Sequence, residues 1–146
     1  MTDVLVVGYG NDLRGDDAAG RHVVRRVAAL GLPRVDTLEM HQLAPELADE
    51  VRRYATVVFV DAAAGGAGAV ALRPVTPAPA SQRSTHHATP AGVLDLAAAA
   101  YGSAPTGILV TIPAVGFDVG APLSAEAERG VAEAVDAVVR LVAQSQ

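Results

Sequence analysis

Gly8-Tyr9-Gly10-Asn11-Asp12-Leu13-Arg14-Gly15-Asp16-Asp17-Ala18-Ala19-Gly20 is the stretch on which the reading of this sequence turns. It follows Val4-Leu5-Val6-Val7, an apolar run with no polar alternation, which is the pattern of a strand covered on both faces. It leads into Val23, Val24, Val27 and Leu30, spaced to lie on one side of a helix. A strand enters, a tight loop turns and a helix leaves. Gly8, Gly10 and Gly15 permit positive φ or close backbone approach, so the loop can set Asn11, Asp16 and Asp17 at the carboxyl edge of a sheet. Two adjacent carboxylates repel one another unless a cation or a helix N-terminus offsets them, so the pair asks for a partner.

Outward from that loop the same alternation repeats. Gly31 and Pro33 punctuate a turn, and Val35–Met40 reads as a second strand with His41 at its carboxyl end. Pro45 and Glu46 suit the first turn of a helix that runs to about Tyr54. Thr56–Val60 is a continuous β-branched and aromatic run ending on Asp61, and Ala69–Pro74 is a short strand that Pro74 confines to an edge or an end. After a proline-rich stretch comes Ser84-Thr85-His86-His87-Ala88-Thr89-Pro90, where Thr89 can cap and Pro90 can start a helix reaching Tyr101. Thr106–Ile112 is a last buried strand, and Ser124 caps a final helix with Glu126 and Glu128 in its first turn. Strands alternating with helices predict the α/β class, a three-layer sandwich with a mostly parallel five-stranded sheet and helices on both faces.

Size and composition narrow the function. The 146 residues suit a single domain spanning 1–146, and an apolar content of 51% argues for a packed core rather than disorder. Aromatics make up 3% with no Trp, and the formal charge is −5, so neither a base-stacking platform nor a phosphate-neutralising patch is available and nucleic acid is not expected as a partner. There is no cysteine, which removes disulfides, thiolate metal sites and thiol nucleophiles together and leaves His, Asp and Glu to hold any metal. No apolar run approaches the roughly 20 residues that span a bilayer, so the expectation is a cytoplasmic protein without membrane association. The final helix has apolar positions enough only to pack inward, which points to a monomer.

In a sheet of this kind ligands bind beyond the carboxyl ends of strands, where neighbouring crossovers diverge. Asp17, Asp61 and one of His86 or His87 all fall at that edge, and two carboxylates with one imidazole make a set for a borderline divalent ion such as zinc or nickel, with positions left open for water or substrate. Each residue singly has a plainer reading: Asp16 or Asp17 as a helix N-cap, Asp61 as turn chemistry, the His pair as solvated loop. Their convergence on one edge favours the site. A dinucleotide fingerprint fails because Leu13 stands where its third glycine belongs, and no Gly-x-Ser-x-Gly elbow supports a serine triad.

The motif loop closely resembles the Gly-x-Gly-Asn-x-Leu-x-x-Asp-(Asp/Glu)-x-x-Gly signature of the hydrogenase maturation endopeptidases. The similarity continues in His41-Gln42-Leu43-Ala44-Pro45-Glu46-Leu47, Val58-Phe59-Val60-Asp61-Ala62, Ser84-Thr85-His86 and Leu123-Ser124-Ala125-Glu126, so it spans essentially the whole chain. The resemblance implies an endopeptidase that removes the C-terminal extension of a nickel-iron hydrogenase large-subunit precursor after nickel insertion. It implies Asp17, Asp61 and His86 as metal-binding and catalytic residues, with His86 preferred over His87 through the Thr-His pair. Nickel would arrive with the substrate, and zinc or cadmium could stand in for it in vitro. Asn11, Asp16, His41 and His87 are candidates for the substrate groove. The alternative is a non-catalytic metal-sensing chaperone that binds the nickel-loaded precursor without cutting it.

Overall fold

The computed structural model describes residues 3–64, 68–79 and 88–145. The chain runs β1 (Val4–Tyr9), a 3-10 turn (Gly15–Ala18), α1 (Ala19–Leu30), β2 (Val35–Met40), α2 (Leu47–Val51), β3 (Thr56–Ala64), β4 (Ala71–Val75), α3 (Pro90–Tyr101), β5 (Thr106–Ala114) and α4 (Ala125–Ser145). One five-stranded sheet of order β2-β1-β3-β5-β4 results. β1 pairs in parallel with β2 and β3, and β3 with β5, whereas β4 is antiparallel to β5. Pro74 sits in β4 at the edge of the sheet, where its missing N–H does least harm to the ladder.

The uninterrupted apolar runs follow from burial on both faces. Val4 and Val6 of β1 and Val58 and Val60 of β3 pack with α1 and α4, through Val23, Val27, Val131 and Val138. Leu5 and Val7, with Val57 and Phe59, turn to the other face and meet Leu47, Val51, Val93 and Leu94 of α2 and α3. Each such side chain removed from water is worth roughly 1.5–3 kcal/mol, and with so few aromatics the core rests on valine and leucine. Among the described residues no helix is long and apolar enough to cross a membrane.

The helix ends follow the sequence closely. Thr89 Oγ1 accepts from Gly92 N at 3.0 Å with Pro90 in the first turn of α3, and Ser124 Oγ accepts from Ala127 N at 3.1 Å at the start of α4. β4 and β5 shift by one or two residues from the expected bounds, and α2 and β3 differ more. α2 is one short helix rather than a run to Tyr54, because its flanks close as tight turns, with Ala48 N bonded to Pro45 O and Tyr54 N to Val51 O. β3 does not end on Asp61 but continues to Ala64, held by its parallel ladder with β5.

Candidate metal and peptide cleft

The motif loop is shaped by its glycines. Gly10 has φ of 145°, and a Cβ there would strike the Asp17 carbonyl. Gly20 lies so close to the Val60 carbonyl that no side chain fits between α1 and β3. Gly15 also takes positive φ, whereas Gly8 does not and serves only the close packing of β1 on α1.

Across the sheet, α1 leaves β1 over one face towards β2, and α2 crosses the other face from β2 to β3 on the far side of β1. The crossovers diverge between β1 and β3, which is where an open sheet of this type forms a crevice. β1 pairs with β3 only as far as Gly8 opposite Val60, so Asp61 is the first β3 residue beyond that ladder. A cleft of about 500 Å³ opens there, lined by Tyr9, Gly10, Asn11, Arg14, Asp17, His41, Gln42, Leu43, Asp61, Ala88 and Phe117. Of the other concavities, one holds Asp36, Glu50 and Tyr54 at the amino end of the sheet and another holds Glu126, Arg129 and Glu133 of α4, so the cleft at the switch point is the candidate site on topology.

Asp17 and Asp61, drawn from separate elements, thus share one cleft with Asn11 and His41. Asn11 N donates to Asp17 Oδ2 at 2.7 Å, and Asn11 Oδ1 accepts from Leu13 N at 2.9 Å, so Asn11 shapes the loop and also holds the carboxylate. Burial, together with the charge of Asp17, pushes the Asp61 carboxyl up to about 6, against hydrogen bonds from the Tyr9 hydroxyl and the Ala62 N–H that favour its ionised form. Burial and the facing Asp61 likewise raise the Tyr9 hydroxyl far above its ordinary value. Two half-buried carboxylates that repel each other are the donor chemistry a divalent cation relieves. His86 and His87 lie outside the described residues, but Ala88, the next residue in the chain, lines the cleft. Among the described residues alone no group of three His, Asp or Glu side chains is arranged to hold a metal.

Asp16 goes elsewhere. Expected in the groove, it is 1% exposed and faces the segment that joins β5 to α4. Its Oδ2 accepts from Val115 N at 2.9 Å, Gly116 N at 3.2 Å and Ser124 Oγ at 2.7 Å, and its Oδ1 accepts from Ser124 N at 2.7 Å. Burial alone would raise this carboxyl, but the four hydrogen bonds outweigh it and hold it below the usual range. Neither aspartate is a side-chain N-cap of the 3-10 turn or of α1.

Sequence reasoning did not single out Tyr9, Arg14 or Phe117. The signal available was scarcity, since the chain has only three Tyr and two Phe, and Tyr9 and Phe117 both line the cleft. Also unforeseen is the ionic brace on the outer side of the loop, where Arg21 reaches Glu39 at 3.0 Å and Gly10 O at 3.4 Å, and Arg25 bridges Asp12 and Glu39.

The sequence matches no protein-family model and no curated protein. Solved structures do match. HybD, a nickel-iron hydrogenase maturation protease from Thermococcus kodakarensis, superposes with a TM-score of 0.75 at 24% identity, over 96% of this chain and 99% of that one. HycI, a maturation protease from the same organism, gives 0.74 at 22% identity over 97% and 92%, and the Escherichia coli hydrogenase-maturating endopeptidase HybD gives 0.75 at 20% over 98% and 93%. Over nearly its full length, therefore, this chain has the fold of the nickel-iron hydrogenase maturation proteases.

Proposed function

We propose that this protein is an endopeptidase that removes the C-terminal extension from a nickel-iron hydrogenase large-subunit precursor once nickel is in place. The observation that carries the reading is that Asp17 and Asp61 share one cleft at the topological switch point of a fold common to hydrogenase maturation proteases. His86, four residues before Pro90 begins α3, is the third donor in this reading, with His87 its neighbour. The nickel carried by the precursor is recognised as part of the substrate. Asp17, Asp61 and His86 complete its shell, and the cation offsets the mutual repulsion of the two acids. Recognition of nickel by these residues would place the adjoining peptide along the groove beside His41 and Asn11, so that only a loaded precursor is cut. Exposed apolar side chains at Leu13 and Val119, on the two loops that frame the cleft, suit contact with a protein rather than a small molecule.

Incubation of the purified protein with nickel-loaded and nickel-free precursor, followed by mass spectrometry, tests the proposal. The expected result is shortening of the loaded large subunit alone. A stable complex with no loss of mass would instead identify a metal-sensing chaperone, and cutting of unrelated peptides would identify a different peptidase on the same fold.

A further inference from the structure

The two neighbouring aspartates of the motif have separate tasks. A 3-10 turn advances about 120° per residue, so consecutive side chains at Asp16 and Asp17 diverge, one towards the body of the protein and the other into the cleft. We propose that Asp16, acting with Ser124, is the positioning residue that sets Asp17, by clamping the motif loop to the segment between β5 and α4. This rests on the reading of Asp17 as a working residue of the cleft.

Four donors aim at one buried carboxylate, and both of its oxygens are used. Beside them the Asp16 N–H donates to Gly116 O at 2.8 Å, Arg14 Nε to Phe117 O at 3.2 Å and Gly120 N to Leu13 O at 2.8 Å. The loop and the segment are thereby stitched along their length, and Arg14 on one side with Phe117 on the other both line the cleft. Asp17 follows directly on the clamped residue, and its carboxylate is fixed at its other end by Asn11 N. Ser124 joins this clamp to the scaffold, since its hydroxyl donates to Asp16 while accepting from Ala127 N at the start of α4. A carboxylate is required rather than an amide, because every partner is a donor and an amide nitrogen facing any of them could not accept.

Asp16→Asn keeps the shape and removes that capacity. Cadmium titrated calorimetrically into the purified protein should bind about 10–100-fold more weakly than to the wild type, the range expected when a group that orients a ligand is lost. The Asn11 amide resonance should move, because its bond to Asp17 is the readout of that side chain's placement, while the resonances of Val57 to Val60 in the core stay where they are. Ser124→Ala should show a smaller loss of both kinds, and Ser124→Thr, which keeps the hydroxyl, should restore them. Wild-type cadmium affinity with an unmoved Asn11 resonance in Asp16→Asn would overturn the proposal. So would a shift spread evenly over the core amides, which would mark Asp16 as a general stabiliser. If Asp16→Asn fails to fold, the contrast between Ser124→Ala and Ser124→Thr decides by the same two measurements. A wild-type protein that binds no cadmium would sink the metal reading of the cleft, yet the Asn11 resonance would still report whether Asp16 sets Asp17.

Discussion

Tyrosine meets aspartate at both ends of the sheet, with different results. At the amino end the Tyr54 hydroxyl donates to Asp36 Oδ2 at 2.6 Å beside a cavity of about 430 Å³. Burial, followed by the bond to Asp36, pushes Tyr54 up to about 12, but Asp36 itself is exposed to water. At the carboxyl end Tyr9 meets Asp61, which is partly buried and has Asp17 as a second acid nearby, and here the carboxyl moves up to about 6. The same two side chains make a structural bond in one place and a poised acid in the other. Burial and a neighbouring like charge make the difference, and both come from the point where crossovers diverge.

The largest effect should separate the two ends by activity. Asp17→Ala, Asp61→Ala and His86→Ala are expected to abolish precursor cleavage with circular dichroism unchanged, while Asp36→Ala stays within about two-fold of wild type, as surface changes away from a site usually do. Retention of cleavage by any of the three would remove that residue from the site, and cadmium binding retained by His86→Ala but lost in His87→Ala would transfer the ligand role.

A second contrast is in stability against pH. The Asp61 carboxyl is raised in the folded protein from 3.8 to about 6, so its favourable contribution is complete below about 4 and is lost as pH rises through 6. Asp61→Asn cannot ionise and should therefore stabilise the protein at pH 8 by on the order of 1–2 kcal/mol, with the gain shrinking towards pH 4. Thermal melts across that range check this, and an equal gain at both ends would show that ionisation is not the cause. The smallest effects belong to the hydroxyls. Tyr54→Phe should cost about 1 kcal/mol or less and leave cleavage alone. Tyr9→Phe should raise the Asp61 titration further, because the lost bond favoured the carboxylate, and a carbon-detected NMR titration would resolve the shift.

Local pattern carried most of the fold. Val35–Met40 and the capped start of α3 at Thr89 and Pro90 stand where their sequence places them, because strand alternation and helix capping are written in adjacent residues. Pro74 correctly marked an edge. Asp61 was legible as a residue of the carboxyl edge, but the extension of β3 past it was not, since that depends on pairing with β5 fifty residues later. Asp16 was misplaced for the same reason. Nothing near Asp16 announces Ser124, and nothing near Ser124 shows that its hydroxyl has a second partner besides the helix it caps. Periodicity reads what neighbours do, whereas hydrogen bonds across a hundred residues become visible only in three dimensions.

That separation also bears on when the protein becomes competent. The bonds from Asp16 close over intervals of 99 to 108 residues, so the first strand and its loop leave the ribosome long before their final partners exist. A nascent chain holding every acid of the motif would still lack the clamped loop until α4 had docked, so the cleft is completed only at the end of synthesis.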